Sequence, residues 1–194
     1  MARNSRTVAV IGGGTMGAGI AALFAAHDWI VHVASRQGAS RATLPQRLES
    51  AMRGLNAPYD AAPCTLHDHI YALPWESVDV AFEAVPEQLE PKLEVFEEMV
   101  KISRPNTPLC SASVGIEIDR IGERFPTRER MLGVRFNAPA HVAHEIDLVC
   151  STYTRKAIAD RVANMLNSIG RPPMRVTLGN ADGPMPATDR TGAS

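Results

Sequence analysis

The chain has 194 residues and a formal net charge of −1, from 20 basic and 21 acidic residues. This length fits one domain with a sizeable core, and the balanced charge offers nothing that would attract nucleic acid or an anionic membrane. Five glycines interrupt the apolar run between residues 8 and 26, so it falls short of the ~18 consecutive apolar residues that predict a membrane span. We therefore expect a protein that binds neither nucleic acid nor membrane. Its three cysteines are interpreted as reduced, buried thiols, which predicts a cytoplasmic location.

Strands and helices alternate along the N-terminal half. Residues 7–11 (TVAVI) form a β-branched run that ends in glycines, which predicts a buried first strand. The same reasoning predicts a helix over 16–27, a strand over 30–34 and a helix over 44–55. Residues 56–74 contain three prolines and little periodicity, which predicts an irregular segment with a short strand near 70–73.

The alternation continues in the C-terminal half. The predicted elements are strands at 78–85, 108–113, 131–136, 146–150 and 174–178, and helices at 89–100, 116–125 and 154–169. Alternating elements favour parallel pairing with right-handed crossovers. The predicted fold is therefore α/β, a doubly wound and mostly parallel sheet of the Rossmann type, over residues 1–178. Residues 179–194 have no apolar period, which predicts a mobile tail.

A glycine motif follows the first strand. Residues 12–17 read G-G-G-T-M-G, the pattern G-x-G-x-x-G between a predicted strand and a predicted helix. In dinucleotide-binding proteins Gly12 would permit the tight turn, Gly14 would let the backbone approach a pyrophosphate, and Gly17 would let helix and strand pack closely. Free N–H groups at the helix start, around Thr15 and Met16, would bind the phosphates. The alternative is a glycine-rich turn without a ligand.

The end of the second strand indicates which dinucleotide binds. An NAD site usually has an acidic residue there, whereas this chain has Ser35 and Arg36. An arginine offers planar, charged donors that suit a 2′-phosphate. The prediction is therefore NADP, with NAD still possible, and the alternative is that Arg36 is a solvated loop residue.

Two segments carry a family resemblance. VAVIGGGTMGAGIAALFA from residue 8 and VDVAFEAVPEQLEPKLEVF from residue 78 resemble the 3-hydroxyacyl-CoA dehydrogenase family, and similarity extends over about residues 6–178. The resemblance implies the nucleotide-binding domain of an oxidoreductase that interconverts 3-hydroxyacyl and 3-oxoacyl groups. It also implies that Glu87 and Lys92 contact the cofactor, although both also suit a polar helix start.

The chain departs from the family at its catalytic positions. Val114 stands where the family has a serine, Arg135 where it has the acid/base histidine, and Asp147 where it has a glutamate. His141 and His144 lie downstream and are candidates to replace the imidazole, or are simply loop histidines. Arg135 could instead polarise a carbonyl or bind a carboxylate or thioester oxygen.

The family continues with a helical domain that closes the active site and mediates dimerisation. At the matching place residues 181–186 read ADGPMP instead of the family's helix start. We therefore expect an open substrate side, covered by self-association or by a partner subunit. Three hypotheses remain. The first is an NADP(H)-dependent oxidoreductase acting on a small acyl substrate, free or carrier-bound. The others are a cofactor-binding protein without dehydrogenase activity and an enzyme of different chemistry in which Arg135 holds an anion. No metal site is predicted, because the three cysteines match no zinc or redox spacing.

Overall fold

The computed structural model describes residues 6–36, 38–59 and 64–178. Within them, the strands are β1 (Thr7–Ile11), β2 (Ile30–Ala34), β3 (Cys64–His67), β4 (Val80–Glu83), β5 (Leu109–Ser111), β6 (Met131–Phe136), β7 (Ile146–Cys150) and β8 (Met174–Thr177). The helices are α1 (Thr15–Ala25), α2 (Ala39–Ala42), α3 (Leu44–Gly54), α4 (Leu89–Ile102), α5 (Ile118–Gly122) and α6 (Lys156–Ser168). The predicted tail at 179–194 lies outside the described residues.

The described strands form one sheet in the order β3-β2-β1-β4-β5-β6-β7-β8. The β6–β7 pair is antiparallel and the other neighbouring pairs are parallel. This confirms the predicted doubly wound, mostly parallel α/β fold. None of the described helices is long and apolar enough to cross a membrane.

Two hydrophobic clusters cover the two faces of the sheet. One cluster joins the sheet to α1, α3 and α6, and the other joins it to α4 and α5. All five residues of β1 are buried, which is expected for a central parallel strand covered by helices on both faces. Helix α1 is buried at nine positions from Gly17 to Ala25, so it lies deep against the sheet and its start is fixed in place.

The predicted strand near residues 70–73 is wrong. The strand of this region is β3, Cys64–His67, and Ile70–Ala72 form a 3-10 turn instead. The Trp75 indole donates a hydrogen bond of 2.8 Å to the Ile70 carbonyl and holds that turn. Strand β3 is an edge strand that pairs only with β2 among the described strands. It contains polar residues, so its sequence lacks the apolar run by which the other parallel strands were predicted.

The strand order places a crevice beside β1. The chain moves outward in one direction through β2 and β3, then crosses to β4 on the other side of β1. The carboxyl ends of β1 and β4 therefore flank a topological switch point, where doubly wound sheets bind their ligands.

Candidate dinucleotide-binding cleft

A cleft of about 600 Å³ opens at this switch point. Its walls come from the glycine turn, the end of β2, the 3-10 turn, the end of β4 and one face of α4. Residues that line it include Gly13, Gly14, Arg36, Ser40, Tyr71 and Glu94.

The three motif glycines have separate structural reasons. Gly12 has φ +123°, and a Cβ added there would collide with the Ala84 carbonyl oxygen. A Cβ on Gly17 would collide with the Gly12 carbonyl oxygen, so Gly17 is needed for close packing of α1 on the turn. A Cβ on Gly14 would meet no protein atom within 4 Å. Gly14 therefore leaves open surface on the cleft side of the turn, which is what an approaching diphosphate requires.

The first turn of α1 is also free to bind an anion. Gly14 is the N-cap and provides no side-chain cap, and the turn contains no acidic side chain. Thr15 and Met16 both line the cleft. Unpaired N–H groups and the positive end of the helix dipole favour a phosphate at such a helix start, so the residues present fit the diphosphate of a dinucleotide.

The structure separates the two residues predicted to recognise a 2′-phosphate. Ser35 is 5% exposed, and a Cβ added to Gly13 would lie 2.5 Å from its Oγ, so the hydroxyl packs beneath the turn. The Arg36 side chain is 76% exposed and borders the cleft. Its Nη2 lies 4.0 Å from Oε2 of Glu94 on the facing helix α4. Both residues line the cleft, and Arg36 is the exposed member of the pair.

Two further arginines at this edge are bonded to backbone. Arg41 donates to the carbonyl of His67 and lies 3.2 Å from Asp68. Arg47 donates to the carbonyl of Gly13 at 2.9 Å and to that of Ser40 at 3.3 Å. Both guanidinium groups thus stabilise the protein wall of the cleft.

A buried ion pair ties the opposite wall together. Glu83 is 0% exposed and Lys92 is 1% exposed, with 2.8 Å between Oε1 and Nζ. Glu83 also accepts from the Val85 amide at 2.8 Å and from the Ser111 hydroxyl at 2.7 Å. The pair therefore joins β4, β5 and α4. Our sequence reasoning missed Glu83, although an acidic residue at the end of a buried apolar strand was the available signal.

Lys92 contacts protein acceptors. Besides Glu83, its Nζ lies 3.3 Å from the Val85 carbonyl and 3.4 Å from Glu87 Oε2. An ammonium has three donors, so these three acceptors account for all of them. The predicted direct contact of Lys92 with a cofactor remains a prediction, and the structure gives Lys92 a positioning role.

Glu87 is held at the end of this network. Its Oε1 accepts hydrogen bonds from the Ser113 hydroxyl and from the Gly115 and Ile116 amides. Burial acts to raise the pKa of Glu87, but the bonds from Ser113 and Gly115, with Lys92 nearby, outweigh it and lower the pKa below its ordinary value. Glu87 is therefore an anion that orders the loop after β5, and sequence reasoning missed Ser113.

Arg135 and Asp147 lie side by side on the neighbouring strands β6 and β7, near the carboxyl end of β6. Arg135 is the register partner of Asp147, and Ser111 is the register partner of Gly133. Arg135 therefore lies two residues beyond that row on β6, past the end of β5. No ion pair joins Arg135 to Asp147 within the described part of the chain. Val114 is 63% exposed, so the loop after β5 has an apolar side chain where the resemblance implied a hydroxyl.

The structure does not bring either candidate histidine to the cleft. A Cβ added to Gly54 of α3 would lie 3.1 Å from His141 Nε2, and a Cβ on Gly19 would lie 3.5 Å from the His141 amide nitrogen. His141 thus packs on the α1–α3 side of the sheet, where burial lowers its pKa. His144 is exposed. Neither residue lines the cleft, and neither do Arg135 and Asp147. Within residues 6–36, 38–59 and 64–178, no group of His, Cys, Asp or Glu side chains is placed to hold a metal ion.

Comparison with known proteins agrees with this geometry. Residues 7–179 match the family model described as "3-hydroxyacyl-CoA dehydrogenase, NAD binding domain". The 3-hydroxyadipyl-CoA dehydrogenase of Escherichia coli (strain K12) is 30% identical over 181 residues, which cover 89% of this chain and 38% of that protein. The glyoxysomal fatty acid beta-oxidation multifunctional protein MFP-a of Cucumis sativus is 26% identical over 191 residues, 93% of this chain and 26% of that protein.

A solved structure shows the same arrangement. The crystal structure of 3-hydroxybutyryl-CoA dehydrogenase from Escherichia coli K12 superposes with a TM-score of 0.79 at 28% sequence identity, covering 90% of this chain and 39% of that one. The chain therefore spans between about a quarter and two fifths of the length of these relatives.

Proposed function

Since the chain belongs to the 3-hydroxyacyl-CoA dehydrogenase family, we propose that it is an NADP(H)-dependent oxidoreductase that interconverts a 3-hydroxyacyl and a 3-oxoacyl group. The family's NAD-binding domain supports a nicotinamide dinucleotide as the cofactor. The observation that carries the proposal is the glycine turn, where Gly14 leaves the start of α1 open to a diphosphate. When bound, the dinucleotide supplies or accepts the hydride.

The preference for NADP(H) rests on Arg36. Its guanidinium borders the cleft at the end of β2. NAD-binding proteins usually have an acidic residue at this position, which would repel a 2′-phosphate. Arg36 is largely exposed, and the partner found for it within the described residues is Glu94 at 4.0 Å. A bound 2′-phosphate would offer it stronger, bidentate acceptors.

Arg135 and Asp147 are the proposed substrate-side residues. They are register partners on the neighbouring strands β6 and β7, and Arg135 lies two residues beyond Gly133, the partner of Ser111 at the end of β5. A guanidinium in this place would stabilise negative charge on a carbonyl or carboxylate oxygen of the acyl substrate. It cannot act as an acid/base near neutral pH.

A second candidate function is dinucleotide binding without dehydrogenation. The placement of His141 against α3 and the exposure of Val114 both favour it, because neither His141 nor His144 lines the cleft. Under this alternative the chain would be a sensor, a partner subunit or a degenerate relative of the active enzymes.

Two measurements test these proposals. Fluorescence titration with NADPH and NADH should show saturable binding with NADPH tighter, and Arg36→Gln should weaken NADPH alone. Failure to bind either dinucleotide at submillimolar concentration would exclude both candidate functions. NADPH oxidation dependent on acetoacetyl-CoA would establish the oxidoreductase, whereas binding without turnover would establish the alternative.

We also propose a reducing compartment such as the cytoplasm, supported by three free thiols. Burial raises the pKa of Cys64 to about 11 and also raises the pKa of Cys110. Such protonated thiols are poor nucleophiles and are suited to packing.

A further inference from the structure

We infer that Arg47 is a positioning residue for the diphosphate of the bound dinucleotide and that it acts from behind the glycine turn. The inference rests on the proposed dinucleotide binding and adds a residue that lies outside the G-x-G-x-x-G motif. Arg47 belongs to α3, 30 residues after Gly17 in the sequence, so the motif gives no indication of it.

The hydrogen bonds of Arg47 reach two segments that line the cleft. A single nitrogen, Nη1, donates to the Gly13 carbonyl at 2.9 Å and to the Ser40 carbonyl at 3.3 Å. Gly13 belongs to the glycine turn and Ser40 to α2, and both border the cleft. Arg47 therefore fixes the turn relative to α2 without itself lining the cleft.

The bond to Gly13 also sets the direction of the next amide. The C=O of Gly13 and the N–H of Gly14 belong to one trans peptide, so they point in opposite directions. Holding the carbonyl toward α3 keeps the Gly14 N–H pointing away from α3. Gly14 is the N-cap of α1 and has no side-chain cap, so this orientation is not maintained by a capping side chain.

The charge of Arg47 strengthens the same site. The start of α1 would hold the diphosphate. The Arg47 guanidinium is bonded to Gly13, which directly precedes the N-cap Gly14, so its positive charge lies beside that helix start. Neither Nη2 nor Nε of Arg47 has a hydrogen-bond partner within the described ranges. Because both dinucleotides share the diphosphate, Arg47 should act on NADH and NADPH equally, in contrast to Arg36.

The chain offers a matched control on the same helix. Arg53 is also on α3, but its side chain is 78% exposed and pairs with Glu49 at 2.8 Å, away from the cleft. Arg53→Gln removes the same charge from the same helix without touching the glycine turn.

The experiment measures dissociation constants of NADH, NADPH and ADP for the full chain and for Arg47→Gln, Arg47→Lys and Arg53→Gln. Loss of a charged hydrogen bond predicts that Arg47→Gln weakens all three ligands by about tenfold, that Arg47→Lys recovers part of this loss, and that Arg53→Gln matches wild type. Thermal melting of each variant verifies folding.

Three results would overturn the inference. They are unchanged affinities in folded Arg47→Gln, a loss confined to NADPH, or an equal loss in Arg53→Gln. If wild type itself binds none of the three ligands, the proposed function fails as well. If wild type binds and Arg47→Gln binds equally well, only the role of Arg47 is rejected.

Discussion

The buried pair of Glu83 and Lys92 gives the sharpest test of the structure. Lys92→Met keeps most of the side-chain volume and removes the charge together with the donors to Glu83, Val85 and Glu87. Glu83 would keep its bonds from the Val85 amide and the Ser111 hydroxyl, but its charge would be buried without a cation. Removing one partner of a buried ion pair typically costs about 3–5 kcal/mol. That is a large share of the stability of a typical domain.

Urea unfolding followed by tryptophan fluorescence measures this cost, because Trp29 and Trp75 are both buried. We expect the midpoint of Lys92→Met to fall by about 1.5 M, for an m-value of about 2–3 kcal/mol/M. The double variant Glu83→Gln/Lys92→Met removes both charges and should recover much of the loss.

The control is Lys101→Met on the same helix. Lys101 pairs with Glu97 at 2.6 Å, but both side chains are more than half exposed, so this variant should unfold at the wild-type midpoint. A Lys92→Met midpoint equal to that of Lys101→Met would refute the argument, since it would mean that Glu83 reaches water. An equal loss in the single and double variants would show that side-chain packing, and not charge, was responsible.

Three other predictions concern the cleft. Gly12→Ala should lower the free energy of unfolding by about 1–3 kcal/mol, because Gly12 has a positive φ. Gly14→Ala should have the melting temperature of wild type and a weaker affinity for NADH. The pKa of Glu87 is lowered on folding from an ordinary value of 4.5, so its stabilising contribution is complete above about pH 5 and is lost as the pH falls through the lower folded pKa. Glu87→Gln should therefore flatten the acid side of the stability profile in urea titrations, and an unchanged profile would contradict this. Glu94→Gln should tighten NADPH about threefold by freeing Arg36 and leave NADH unchanged, and equal effects on both cofactors would count against that competition.

The parts of the fold encoded in short sequence windows could be predicted. The strand at 7–11, the glycine turn and the helix after it depend on neighbouring residues, so their pattern is local. Gly170, just after the last helix, has a φ of +67°, the left-handed conformation in which glycine commonly ends a helix. Edge strand β3 could not be predicted in the same way, since its position depends on pairing with β2.

The site shows the same division. The positions of Gly12 and Gly14 followed from the motif. The direction of a side chain after a strand depends on packing against distant segments, which a short sequence window does not contain. Ser35 was predicted beside a phosphate, and its hydroxyl packs beneath Gly13 at the cleft wall. His141 was a candidate imidazole, with a loop histidine as the alternative, and it lies against α3. The bonds of Glu83 to β5 and α4 join residues far apart in the sequence, so they required the fold itself.

The two walls of the cleft differ in how firmly they are held. One wall is anchored by the buried ion pair of Glu83 and Lys92, which joins two strands and a helix. The other includes α2, a single helical turn that follows Gly38 at φ +129° and whose Ser40 is bonded to Arg47. The free energy needed to open the cleft should therefore be lower for a movement of α2 than for a movement of the wall with Glu83. The rates at which a dinucleotide enters and leaves should therefore depend on how often the hydrogen bond from Arg47 to the Ser40 carbonyl breaks. The end of β4 with Glu83 should stay rigid through each exchange.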